Sequence, residues 1–568
     1  MTSPGVHEES VRAERFDCVQ DRPVEALRGH FDRPVLSTVE GLSANGYGRV
    51  AADSLRLVAN GRVATDDLRR VAIDPVSRVE GHGKVTLLLD AAGHVQQARL
   101  HIVEFRGFER FIVGRPYWEV PVMVQRLCGI CPVSHHLAAC KAIEDALGVA
   151  AEVPPSAQAL RRLMHHGQIL QSHALHFFHL ASPDLLFGLD SDPALHSLMA
   201  LAQARPDIAR QGVALRRYGQ EVIRLTAGKR IHGSGSVPGG VNRQLTPAER
   251  DMLRAGLPEV TAWCEQAVDL VDALRAGAPD LFQGFGAMRS NWLSLVADGR
   301  RAAAPVGTMD LYDGRLRWRD ADGAPLRVGR AGRTGWTLPD VDPCAYAEHI
   351  EEAVEPWTYM KFPYLRALGR DHGWYRVGPL ARVQVCEAIP TPRAEARRKA
   401  FVAEGPVHGS LAYHGARMIE MLHAAGHIGE LLADDAVVSG ERLTARPGPA
   451  ADVREGVGVI EAPRGTLLHH YAIGPDDLVR ACNLIVATTH NNEAMHQAVR
   501  QVARERLDGR EITPALLGQV ETAIRAYDPC LSCATHALGQ MPLEVCLIDS
   551  AGRLLDRVHR DSDGQMCR

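Results

Sequence analysis

Hydrophobic and polar positions follow two rhythms along this chain, and each rhythm predicts an element. From Val71 to about Phe111 the period is close to two. Lys84–Asp90 and Val95–Phe105 flank Ala91-Ala-Gly-His94, which predicts a β-hairpin by its turn residues. The period then lengthens. Leu137–Ala150 is predicted helical, and a longer helix follows with Leu163, Gly167, Leu170, Ala174 and Phe177 on one stripe. Thr246-Pro-Ala-Glu249 is a capping box with proline at the first helical position, so a helix starts there and runs toward Ala276. Helical spacing returns over 345–369 and again over 409–434, where Leu411, Met418, Leu422, Ala425 and Leu432 form one stripe. Arg315-Leu-Arg-Trp-Arg319 alternates between the turn signals Tyr312-Asp-Gly314 and Asp322-Gly323. It predicts a peripheral β-hairpin with a solvated arginine face, within a surface insertion over 300–340. Around 456–490, short apolar runs are separated by Gly and Pro. There is no internal repeat, and no linker-like composition divides residues 71–536. One interlocked α+β unit, mainly α, is expected: a central helix bundle with small peripheral β-sheets.

Composition narrows the class without naming an activity. The 568 residues are 46 % hydrophobic and 23 % charged, enough to bury a large core, and the formal charge of −4 offers no basic face for nucleic acid. Residues 1–30 are charged throughout and lack the apolar run of a signal peptide. No stretch approaches the ~20 apolar residues that span a bilayer. A cytoplasmic location without a membrane span is the expectation. Residues 1–70, rich in charge, Gly and Ser, are expected to be an N-terminal extension, partly disordered.

The chemistry concentrates in two short motifs. Arg126-Leu-Cys-Gly-Ile-Cys-Pro-Val-Ser-His135 and Asp528-Pro-Cys-Leu-Ser-Cys-Ala-Thr-His536 each hold Cys-x-x-Cys followed by histidine, a spacing that lets two sulfurs face one ion. Three readings compete. A structural zinc site takes four thiolates, but its knuckles usually stand about 15 to 20 residues apart. A redox dithiol needs a βαβ setting that neither motif has. A catalytic thiolate-ligated centre selects nickel, iron, copper or zinc. The remaining eight cysteines are scattered singly and provide no iron–sulfur cluster, and no Gly-x-Gly-x-x-Gly follows a strand. Any iron–sulfur or dinucleotide chemistry would belong to another polypeptide. His165, His166, His173, His176 and His179 crowd the long helix, where satisfied core or surface histidines are the plainer reading than ligands.

The two motifs resemble the signatures of the nickel–iron hydrogenase large subunit, and further segments fall in that family's order. These are Arg78-Val-Glu-Gly-His82, Phe105-Arg-Gly-Phe-Glu109, Glu461-Ala-Pro-Arg-Gly465 and Ala487-Thr-Thr489. Arg126–His136, Ser236-Val-Pro-Gly-Gly-Val-Asn242 and Thr466-Leu-Leu-His-His470 look most like the cytoplasmic NAD-reducing branch. The resemblance implies nickel held by Cys128, Cys131, Cys530 and Cys533, with Cys131 and Cys533 bridging to an iron that carries carbon monoxide and two cyanides. It implies that a proton passes from the Cys530 sulfur to Glu80, which without the family would read as half of a surface ion pair with Arg78. It places Arg464 and Asp528 as charged groups above the metals, and Pro463 and Thr488 at the cyanides. It makes His135 a hydrogen-bond donor to a cysteine sulfur. Magnesium would take Glu109, the Leu484 carbonyl and His536. Ser172 stands where the family often has an aspartate over the centre.

Beyond His536 lie 32 residues in which Glu544–Asp549 and Arg553–Arg557 would make an ordinary β-hairpin. By resemblance residues 537–568 are instead a propeptide, cut between His536 and Ala537 by a maturation endopeptidase once nickel-insertion factors have acted, with residues 71–536 as the single catalytic domain. The implied reaction is reversible heterolysis of dihydrogen. The implied partners, a small iron–sulfur subunit with diaphorase flavoprotein subunits, carry the clusters, FMN and NAD. A hydrogen sensor and a four-cysteine zinc scaffold remain the alternatives.

Overall fold

The computed structural model describes residues 69–299, 305–329, 335–439, 442–445 and 454–536, and the backbone of the strands at 543–548, 554–560 and 566–567. The N-terminal extension, apart from residues 69 and 70, lies outside the described residues. The chain opens on a meander of β1 (Arg69–Ile73), β2 (Gly83–Leu89) and β3 (Val95–Ile102), all antiparallel. The predicted hairpin is its second half. α1 spans Pro132–Ala146 rather than 137–150, because Pro132 is pre-set for the first helical position directly after Cys131. α2 (Pro155–Leu175) continues into a wider π-type turn over His176–Ala181. α3 (Pro206–Ala227) packs along α2, and α4 (Pro247–Gly277) starts at the predicted capping box, with both of its hydrogen bonds present.

Two expectations fail in the middle of the chain. β4 (Asn291–Val296) pairs antiparallel with β5 (Arg315–Arg319), so the arginine-rich segment is one strand of a three-stranded sheet, not a local hairpin. Its face is not solvated either. Leu316, Arg317 and Trp318 are buried, and Arg317 is held by Asp340 at 2.7 Å and Glu387 at 2.9 Å. Helix over 345–369 is also wrong. After the short helix Tyr346–His349 the chain forms β6 (Ile350–Ala353) and β7 (Phe362–Leu365), an antiparallel pair. Pro356 and Pro363 exclude a continuous helix there, and apolar spacing alone cannot separate the two periods in so short a run.

The bundle closes with α5 (Ala412–Ala433), which packs against both α2 and α4. α2 and α5 are buried on nearly every face over most of their length, the mark of helices at the centre rather than at the rim. The apolar runs of 456–490 become β8 (Arg454–Ala462), β9 (Gly465–Ile473) and β10 (Val479–Ile485). Every residue of β9 is buried. This sheet is interior, because α1 lies across β8. A Cβ added at Gly456 or Gly458 would meet α1 backbone at 2.2 Å or 2.1 Å. α6 (Asn492–Leu507) and α7 (Pro514–Arg525) lead to the second cysteine motif. Beyond it, β11 (Leu543–Ile548), β12 (Leu554–Arg560) and β13 (Met566–Cys567) form an antiparallel sheet around the hairpin expected from the sequence. The α+β class, mainly helical with small sheets, holds throughout.

Candidate metal centre

The two cysteine motifs meet inside the molecule. Cys131 caps the N-terminus of α1, where the aligned peptide dipoles favour a thiolate. Gln168 and Gln171 on α2 both donate to the Ile130 carbonyl at 2.8 Å and fix the first loop. The second motif follows α7, turns through Asp528 at φ 54°, and enters a single helical turn, Leu531–Ala534. Cys128 and Cys530 sulfurs stand 3.2 Å apart, and Cys131 and Cys533 sulfurs 4.0 Å. All four lie within 4.8 Å of one another, buried and unoxidised. Burial opposes any charge in this cage. Hydrogen bonds from the neighbouring thiols and the Arg464 charge still draw Cys128 well down, while burial drives Cys530 and Cys533 up.

Glu80 is zipped onto the second motif. Its carbonyl accepts from Leu531 N at 2.9 Å, and its Oε2 accepts from Cys530 Sγ at 2.9 Å and Ser532 N at 3.2 Å. Gly81, at φ 83°, permits this approach, since a Cβ there would sit 2.6 Å from Ser532 N. Burial lifts the Glu80 carboxyl above its usual range, and Cys128 adds to the rise. The Arg78-x-Glu80 pair does not exist, because Arg78 binds Asp184 and the Leu180 carbonyl instead.

On another side of the cage, Arg464 projects from the turn between β8 and β9 and donates to Asp528 Oδ1 at 3.1 Å. Arg464 Nε and Nη1 and Asp528 Oδ2 are buried with no hydrogen-bond partner among the described residues. Together with Cys131, Cys530, Thr488 and His135, Arg464 lines a cavity of about 10 Å³, room for one water-sized group. Pro463 is buried in the same turn. Thr488 Oγ1 accepts from Cys530 N at 2.9 Å, so its O–H stays available to donate. His135 Nδ1 bonds His469 Nε2 at 3.1 Å, and His469 continues to Tyr471 at 2.6 Å. Ser172 is buried on α2 with its hydroxyl unpartnered among the described residues.

A second cluster surrounds Glu109, whose Oε1 accepts from Leu484 N at 2.9 Å. Both ring nitrogens of buried His536 lack partners among the described residues. Sequence reasoning missed Lys361, which reaches Glu109 at 3.4 Å and Glu352 at 3.3 Å. Burial works against its charge, and the two carboxylates outweigh burial. Both Glu109 oxygens are thus engaged, Oε1 by the Leu484 amide and by Lys361 and Oε2 by Lys361 at 3.5 Å. Thr535 and His536 are both buried. The clue to Lys361 was a lone charge in Tyr359-Met-Lys-Phe-Pro363, and the clue to Gln168 and Gln171 was two amides three apart in an apolar helix.

The donor set fits a soft metal with small polar ligands. Four buried sulfurs match nickel, iron, copper or zinc, and the orphaned guanidinium nitrogens of Arg464 stand beside a cavity of one-water size. Similarity to known proteins agrees. The model of the nickel-dependent hydrogenases matches residues 106–202 and 339–536, and a HoxL-like model matches 70–105. The NAD-reducing hydrogenase HoxS subunit beta of Cupriavidus necator is 46 % identical over 493 residues, covering 85 % of this chain and 98 % of that one. An F420-non-reducing hydrogenase chain of Methanothermobacter thermautotrophicus is 38 % identical, covering 86 % and 99 %. A crystal structure of an NAD+-reducing NiFe-hydrogenase in the H2-reduced state superposes with a TM-score of 0.77 at 54 % identity, over 82 % of this chain and 99 % of that one. The Ni-Fe-Se hydrogenase of D. vulgaris Hildenborough gives 0.62 at 27 %, over 83 % and 100 %. With its four motif cysteines converging in the interior, this chain belongs to the nickel-dependent hydrogenase large-subunit family and is a nickel–iron hydrogenase.

Proposed function

We propose that this chain splits dihydrogen reversibly and heterolytically in the cytoplasm, passing electrons through a small iron–sulfur subunit, then through diaphorase flavoprotein subunits, to NAD. The observation that carries the proposal is the 2.9 Å contact between Cys530 Sγ and Glu80 Oε2 at the edge of the four-sulfur cage. Cys128, Cys131, Cys530 and Cys533 would hold nickel, and Cys131 and Cys533 would also hold an iron with carbon monoxide and two cyanides. Bound there, the metals supply the Lewis-acid and redox chemistry that polarises and cleaves dihydrogen. Everything else is done by side chains. Cys530 Sγ receives the proton and Glu80 Oε2 takes it, with a carboxyl already lifted toward the working range by burial. Arg464 and Asp528 present charge beside the reacting position, while Thr488 and Ala462, which line the cavity, and the adjacent Pro463 would hold the small ligands and exclude water. His135 and His469 buttress that wall. Glu109, the Leu484 carbonyl and His536 hold magnesium behind the second motif.

The electron partner docks on residues 103–122, where Phe105, Phe111 and Trp118 are exposed beside the first cysteine loop, whose Gly129 also reaches solvent. Removal of residues 537–568 by an endopeptidase, with cleavage between His536 and Ala537, completes maturation. Glu80→Gln keeps shape and loses the titrating group, so hydrogen oxidation by the purified complex is expected to fall about 10²-fold or more with nickel and iron retained. An undiminished rate removes Glu80 from the relay. Metal analysis expects one nickel and one iron per chain, and infrared spectra expect bands of metal-bound carbon monoxide and cyanide. One zinc and no such bands would end the proposal.

A further inference from the structure

Behind the turn that carries Arg464 lies buried charge that the proton relay does not use. Arg382, on the helix Pro379–Val385, donates through Nε to Glu461 Oε2 at 2.6 Å, through Nη1 to Glu420, and through Nη2 to the carbonyl of Ala462. Glu420, on α5, also bonds His173 of α2 at 2.8 Å. Glu461 takes Leu295 N and Thr466 Oγ1, both at 2.8 Å, through its other oxygen. The side chains of Arg382, Glu420 and Glu461 are all fully buried. Thus α2, α5, β4 and both strands of the Arg464 hairpin converge on one guanidinium. Burying one cation with two carboxylates is a poor device for stability, since desolvation offsets the attraction. It is a good device for fixing geometry: a planar fork with three occupied directions tolerates little rotation.

Where that geometry is needed follows from the register. Ala462 pairs with Gly465, so only Pro463 and Arg464 form the turn, and the carbonyl gripped by Arg382 is its first post. We propose that Arg382, clamped between Glu420 and Glu461, is a positioning residue for Arg464, holding the turn that presents the Arg464 guanidinium to Asp528 and the sulfur cage. The proposal rests on the reading of Arg464 as a group of the reaction.

The test uses the purified hydrogenase complex. Arg382→Lys keeps the charge and loses the fork. Its kcat for hydrogen oxidation is expected to fall about tenfold or more, with KM for hydrogen and metal content unchanged. In a crystal structure of the metal-free variant the 3.1 Å contact of Arg464 with Asp528 is expected to open. Arg382→Lys combined with Arg464→Lys is expected to be no slower than Arg464→Lys alone, because both remove the same function. Thr466→Val deletes a single hydrogen bond to Glu461 and no charge. It is expected to show the same pattern more weakly, and it decides the question if Arg382→Lys does not fold. Rate losses that multiply in the double variant, or a full kcat with Arg464 in place, overturn the proposal. An unimpaired Arg464→Lys enzyme overturns the reading of Arg464 and this proposal with it, whereas an impaired one beside an unimpaired Arg382→Lys overturns only the proposal.

Discussion

At the scale of single residues, the interior is unusually rich in polar side chains, and most of them are occupied. The helix histidines take core partners, as the sequence favoured: His165 bonds the Glu461 carbonyl, His173 bonds Glu420, and His176 bonds the Arg525 carbonyl. Burial holds His101 and His423 down at about 4 and His165 at about 3. The sign of the consequence follows. These folded pKa values lie below the unfolded ~6.5, so below that pH the unfolded chain binds more protons than the folded one. Stability is therefore full above pH ~6.5 and is lost as pH falls toward 4, by about 1.4 kcal/mol per pH unit for each such histidine. Guanidinium midpoints measured from pH 7.5 to 5 should fall, and His423→Gln should flatten the slope. A midpoint independent of pH would contradict the assignment. Cys128, Cys131, Cys530, Cys533, Glu80, Arg464 and Asp528 were legible as candidates because they sit in compact motifs. Arg382, Gln168, Gln171 and Lys361 were not, because each acts on a backbone carbonyl or a carboxylate far away in sequence.

At the scale of elements, the capped or striped helices and the two hairpins with local turn signals were legible, and the middle of the chain was not. The helix from Thr246 carries its own boundary signal and that over 409–434 a long apolar stripe, whereas β6, β7 and β5 owe their state to strands that pair with them and to two prolines. The element that most constrains the site is the contact of α1 with β8. Gly458→Ala would drive a methyl group to 2.1 Å from the Ala138 carbonyl, which is backbone and cannot rotate away. The expected cost is about 1–3 kcal/mol of stability. Because Cys131 caps α1, nickel retention should fall as well, measured by metal content after dialysis. An equally stable variant with full nickel would show that α1 and β8 are not rigidly coupled.

At the scale of the whole molecule, two surfaces matter for assembly. Residues 103–122 expose six large apolar side chains, Val103, Phe105, Phe111, Val113, Trp118 and Val122. Trp118→Lys should abolish co-purification of an iron–sulfur subunit while leaving the metals in the chain, and an intact complex would place the partner elsewhere. The other is the C-terminal sheet of β11, β12 and β13. Active enzyme should have an intact mass lacking the 32 residues after His536, and active full-length protein would rule out processing.

The sequence by itself pointed to the four converging cysteines, the family resemblance and the helical bundle, because two Cys-x-x-Cys motifs and long periodic helices are local patterns. Only the tertiary structure decided that β8, β9 and β10 lie inside, that Arg317 is buried, that His135 leans on His469, and that Arg382 grips the turn beneath Arg464. Each of those depends on which distant backbone comes within hydrogen-bond reach. A one-dimensional pattern records what a residue is able to bond, and the fold chooses the partner.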